Sequence, residues 1–127
     1  MNLSVDTYLA RRFHLARQNC WHVLRDGWLE LTGVDLGDRT PEHLSRAALV
    51  GRFDSDVPAF LELPQPASPC IVLMRQPRLV PHVGLYWKRR VLQMAQGGPT
   101  YLPLAVATHG YPADGIGFYV PTSETLA

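Results

Sequence analysis

Two residues far apart in the chain carry the chemistry that stands out. Cys20 lies in Gln18-Asn19-Cys20-Trp21-His22, at the start of the best helical pattern. His82 lies in Pro81-His82-Val83-Gly84-Leu85-Tyr86, at the start of a strand-like run. A thiol at a helix N-terminus and an imidazole on a distant strand are the parts of a cysteine hydrolase. The thiolate is the nucleophile, and both the helix dipole and a neighbouring imidazolium favour it. The imidazole would take the thiol proton and return it to the leaving amine.

These two residues need elements to hold them. Between Asn19 and Thr32, Cys20, Leu24, Trp28 and Leu31 recur at three- and four-residue spacing, with Trp21 beside them. That spacing predicts a helix. Asn19 suits its N-cap and Gly33 its C′ stop. Gly27 inside it costs about 1 kcal/mol relative to alanine and would suit close packing. Residues 3–17 are mixed and predict a short helix or turn. Thr40 as cap, Pro41 as first residue and Gly51 as stop predict a second helix from Pro41 to Val50. Residues 54–69 hold four prolines and read as a connector.

After the connector the period changes. Cys70 to Met74 is a continuous apolar run, as in a buried strand. Residues 82–87 form a second strand, Lys88-Arg89-Arg90 a polar turn, and Val91 to Ala95 a third strand, so 82–95 reads as a hairpin. Thr100 to Val106 predicts a fourth strand and Ile116 to Val120 a last one. Helices first and strands later predict an α+β protein, with an antiparallel sheet covered on one face by N-terminal helices.

The bulk properties exclude several classes. A chain of 127 residues predicts one domain, 1–127, with a core that needs no staples. Apolar residues make up 46% and charged residues 18%, a globular balance. The net charge of +1 gives no general affinity for polyanions, so nucleic acid is not an expected partner. Two cysteines are fewer than a disulfide scaffold normally carries; a single Cys20–Cys70 bridge stays open and would remove the proposed nucleophile. Cys70 opens an apolar run and is expected to be buried and inert. The first six residues lack a basic n-region and an apolar h-region, so no signal peptide is expected. No apolar run reaches the ~20 residues of a membrane span. His14, His43 and His109 lack partners at recognisable spacing, and His22 is expected to point away from Cys20. With no Cys-x-x-Cys or His-x3–5-His pair, neither a metal nor another cofactor is expected.

Taken in order, the motifs resemble those of the NlpC/P60 family of papain-like cysteine peptidases, especially short forms encoded among phage tail genes. The nucleophile motif reads Asn19-Cys20-Trp21-His22, with Asn19 in place of the usual Asp and His22 in place of a frequent Gly. The second motif reads His82-Val83-Gly84-Leu85-Tyr86. The family's third polar residue would be Gln93, eleven positions after His82, and its upstream tyrosine would be Tyr8, twelve before Cys20. The resemblance covers roughly residues 8–121. It implies a papain-like fold and a catalytic set of Cys20, His82 and Gln93. Gln93 would accept from one ring nitrogen and hold the imidazole, as a neutral amide does in Cys-His-Asn peptidases. Tyr8 and the Cys20 backbone N–H would stabilise the oxyanion.

The same resemblance implies a peptidoglycan endopeptidase. Its substrate would be the stem peptide, cut at an amide between D-glutamate and a diamino acid. Its partners would be other phage tail proteins, and its location the virion after assembly in the host cytoplasm. The alternative is a structural tail-tip component that keeps the fold with little or no catalysis. An acyltransferase or amidase on the same scaffold is a third reading.

Overall fold

The computed structural model describes residues 2–14, 19–37, 60–95 and 97–122. The helix expected over Pro41–Val50 lies outside the described residues. The chain begins with α1 (Val5–Leu9) and α2 (Cys20–Thr32). Strands β1 (Phe60–Leu63), β2 (Cys70–Met74), β3 (His82–Trp87), β4 (Arg90–Ala95) and β5 (Gly98–Pro103) follow. A short helix α3 (Leu104–Ala107), a 3₁₀ turn (Ala113–Gly115) and β6 (Ile116–Pro121) complete it. The six strands form one sheet in the order β1-β6-β2-β3-β4-β5, every pair antiparallel. The molecule is therefore a mixed α/β protein with a six-stranded antiparallel sheet and few helices among the described residues.

Residue alternation divides the sheet into two faces. Ile71, Leu73, Val83, Leu85, Trp87, Leu92 and Met94 join the main core with Trp21, Val23, Leu24, Trp28 and Leu31 of α2. Val72, Met74 and Val91 form a second cluster with Ala107 of α3, flanked by Tyr86 and Tyr111. Both faces are thus covered near the middle, which is why β2 is buried at all five positions and reads as an unbroken apolar run. Helix α2 packs on β3 and β4. Gly27 is the close-approach point: a Cβ there would stand 2.7 Å from Leu85 Cδ2. At the helix end Gly33 adopts φ +78° and its N–H bonds Leu29 O, the left-handed stop its position suggested.

Three local expectations change. Residues 60–63, within the supposed connector, form the edge strand β1 because β6 offers an open edge to Phe60–Leu63. The strand expected over 100–106 starts at Gly98 and ends at Pro103. Its successor Leu104 donates its N–H to Arg89 O and begins α3. The 82–95 hairpin turns on Lys88 and Arg89 alone, at φ +52° and +70°, with Trp87 paired to Arg90. Two positive φ values in a two-residue loop match the twist of antiparallel strands. Here they fall on residues with a Cβ, so the turn carries backbone strain.

Candidate active site

The chain enters α2 through Asn19, whose backbone is extended and whose side chain is the only buried polar one among the described residues. Its Oδ1 accepts from the N–H groups of Trp21 at 3.0 Å and His22 at 3.2 Å. The His22 Nδ1 in turn accepts from the Asn19 N–H at 3.3 Å. This is a capping box in which Asn and His take the places usually held by Ser or Thr and by Glu or Gln. His22 therefore points back to the cap. The two residues that depart from the family motif act together to fix the helix start. Cys20 is consequently held at the first helical position, within the positive end of the helix dipole. It is 5% exposed.

His82 opens β3, and Gln93 lies on the neighbouring β4. The His82 Nε2 and Gln93 Oε1 are 2.7 Å apart. An amide oxygen only accepts, so Nε2 carries the proton and donates. Nδ1 is left as the ring's acceptor for another group. Gly84 permits this diagonal reach. Continuing the Leu85↔Leu92 register by one step sets Gly84 against Gln93. A Cβ at Gly84 would stand 2.5 Å from Val91 Cγ1 and 3.4 Å from Gln93 Cβ. The bare position leaves room for the imidazole to lean over the sheet. Burial pushes the His82 pKa down, and the Gln93 bond offsets part of that by favouring the charged form. The resting imidazole is thus neutral at neutral pH and suited to accept a proton.

Tyr8 lies on α1. It is buried, and Glu30, which accepts from the Ser4 N–H, lies close enough to act on its phenol electrostatically. Glu30 lies ten residues along α2 from Cys20, about 15 Å of helix axis. Arg11 stacks over the Tyr8 ring at 4.8 Å and pairs with Asp26 at 2.8 Å. Desolvation first, and the Glu30 charge second, raise the Tyr8 pKa. The twelve-residue spacing is present, but Asp26 and Glu30, one turn apart on α2, draw the α1 side chains toward the other end of the helix. Tyr8 thus sits among α1 contacts to Asp26 and Glu30, along α2 from the helix start that holds Cys20.

Tyr111 packs on the second face of the sheet, and nothing in its local sequence announced it. It follows α3 in a turn pinned by Tyr111 N–H to Thr108 O at 3.1 Å and by Gln76 Nε2 to Gly110 O at 3.0 Å. Its ring packs into the cluster of Val72, Met74 and Val91. Met74 is the direct cross-strand partner of His82. Burial raises the Tyr111 pKa, and negative charge on Cys20 raises it further. Cys20 packs in the main core, whereas Met74, the cross-strand partner of His82, packs in the second cluster.

Cys70 stands apart. It is fully buried on β2, and burial pushes its thiol pKa up to about 11. Both cysteines are free thiols. Next to Met74, Arg75 lines a cavity of about 280 Å³ together with Glu62, Asp114, Gly117 and Phe118. Among the described residues no three His, Cys, Asp or Glu side chains gather as a metal ion requires. No helix among them is long and apolar enough to cross a membrane. No family model, curated protein or solved structure matches the chain.

Proposed function

We propose that the protein is a cysteine peptidase of papain-like NlpC/P60 type, with Cys20 as nucleophile, His82 as acid/base and Gln93 as the residue that orients the imidazole. The observation that carries this reading is the 2.7 Å His82–Gln93 bond, which leaves Nδ1 as an acceptor. A capped helix start holding Cys20 supports it.

The chemistry follows from those positions. Cys20 Sγ attacks the scissile carbonyl carbon as its proton passes to His82 Nδ1. His82 returns that proton to the leaving nitrogen as the C–N bond breaks, leaving a thioester. Water then attacks the thioester and gives a proton to His82. The carboxylate leaves and the thiol is restored. Gln93 accepts from Nε2–H throughout and stabilises the imidazolium without taking its proton.

The substrate in this reading is a peptidoglycan stem peptide, cut between D-glutamate and a diamino acid. Assembly into a phage tail would bring the enzyme to the wall. Incubating the purified protein with peptidoglycan, beside Cys20→Ala, and reading fragments by mass spectrometry tests it. New stem-peptide ends with the parent protein and none with Cys20→Ala are expected. No cleavage under any condition would remove the hydrolase reading.

The 5% exposure of Cys20 favours a second reading, a structural tail-tip component with this fold and little turnover. Purified particles that contain the chain, with peptidoglycan left uncut, would support it.

A further inference from the structure

The net charge of +1 is spread unevenly along the chain. Residues 63–113 carry Arg75, Arg78, Lys88, Arg89 and Arg90 and not one Asp or Glu. Three of those cations stand together at the turn between β3 and β4, and all three are exposed. None of them pairs with an acid among the described residues. Lys88 Nζ lies 5.5 Å from the Trp87 ring centroid, and the Arg90 guanidinium 5.9 Å from that of Tyr101. The Tyr101 hydroxyl donates to Trp87 O at 2.6 Å, which ties the two supports together. The turn is not made of the residues it favours. Two positive φ values select Asn-Gly, yet they fall on Lys88 and Arg89. Strain retained at such a place points to a use for the charge.

An uncharged apolar strip adjoins these cations. No charged residue occurs from Gly98 to Thr108. Leu102 and Pro103 at the end of β5, and Ala105 and Val106 on α3, are exposed, Val106 at 55%. The strip is fastened to the basic turn, because the Leu104 N–H donates to Arg89 O at 3.2 Å and Arg90 reaches Tyr101 O at 3.5 Å. A phosphate polymer would engage the cations and leave the apolar strip in water. An anionic bilayer offers phosphates to the cations and an acyl boundary to the apolar side chains at once. We propose that the Lys88–Arg90 turn and the Leu102–Val106 segment together bind the surface of an anionic lipid membrane. This is attachment at the surface: no helix among the described residues is long and apolar enough to cross. It does not depend on Cys20 or on any substrate.

Vesicle sedimentation of the full chain tests this, with pure phosphatidylcholine beside equimolar phosphatidylcholine and phosphatidylglycerol. The parent protein should sediment with the anionic vesicles and not with the neutral ones, and added salt should release it. Each basic residue near an anionic surface strengthens binding about fivefold. Lys88→Asn with Arg89→Gly removes two charges and supplies the residues the turn favours. It should melt no lower than the parent and bind about 25-fold more weakly. Arg90→Gln, which leaves the turn untouched, should bind about fivefold more weakly. Val106→Gln keeps every charge and should lose about 3- to 10-fold through the apolar contact. Equal binding to neutral vesicles, or binding to neither kind, would overturn the proposal. So would folded charge variants that stay within about twofold of the parent. A single-stranded oligonucleotide supplies phosphates without an acyl boundary. If the parent binds it as tightly as the anionic vesicles, and Val106→Gln weakens neither, the turn is a general phosphate site and the lipid assignment falls.

Discussion

His82 shows how a single side chain's protonation follows from its neighbours. Burial favours the neutral ring, and Gln93 partly reverses that by accepting from Nε2–H. A base whose pKa is lowered stays active to more acidic pH. The acid limb of kcat/KM should therefore fall below the ordinary histidine value of about 6.5. Replacing Gln93 with Ala removes the interaction that favours the imidazolium. The limb should then move further toward acid, and kcat should drop by about 10- to 100-fold as the ring loses its orientation. A pH–rate profile of Gln93→Ala beside the parent checks both. Tyr8 teaches the converse at this scale. The residue type and spacing fit an oxyanion donor, yet its surroundings are the Arg11 guanidinium and the α2 carboxylates, and those carboxylates together with burial raise its pKa.

At the scale of elements, α2 depends on how it starts. Asn19 serves two N–H groups and His22 serves the Asn19 N–H, so three of the donors at the helix start are satisfied by this box. Asn19→Ala should cost about 1 kcal/mol of stability, and His22→Ala somewhat less because it removes one acceptor rather than two. Denaturant titration measures both. Since Cys20 is the next residue after Asn19, fraying at this end should also loosen the thiol, seen as faster alkylation. In the sheet, Gly84 plays the corresponding part. It is a glycine for lack of space rather than for its dihedral angles, and any side chain there would meet Val91 and Gln93.

For the whole molecule, the buried titratable groups define a pH window of stability. His82 has a folded pKa below its unfolded value of about 6.5. The unfolded chain binds that proton first, so the stability contributed by neutral His82 is present above about 6.5 and is lost as pH falls through the lower folded pKa. Cys70, Tyr8, Tyr101 and Tyr111 all have raised pKa values, chiefly through burial. For these acids the sign reverses: stability is full below the unfolded values and is lost as pH rises through the folded ones. Cys70 supplies the clearest case, from an ordinary thiol value to about 11. At about 1.4 kcal/mol per pH unit, that amounts to about 3 kcal/mol lost on the alkaline side. Thermal melts across pH should show a plateau at neutral pH that falls away on both sides. In Cys70→Ala the alkaline fall should be shallower, whatever the variant's stability at neutral pH.

The sequence by itself determined the elements whose signals are local. Asn19 before an apolar spacing, with Gly33 after it, specified α2, because caps and periodicity act within one or two turns. The unbroken run at 70–74 and the alternation at 82–87 specified β2 and β3 for the same reason. It also held the diagonal His82–Gln93 pairing, since a two-residue hairpin turn makes the distance between strands a matter of counting. Tertiary structure decided what counting along the chain cannot reach. β1 is a strand because β6 offers it an edge, and the chain leaves β5 at Pro103 because Leu104 finds Arg89 O. Two carboxylates on α2 engage Arg11 and the Ser4 N–H around Tyr8, while a turn fastened to Gln76 seats Tyr111 on the second face of the sheet. Local propensity is written in neighbouring residues; what surrounds each tyrosine depends on contacts made between segments that meet only when the sheet has formed.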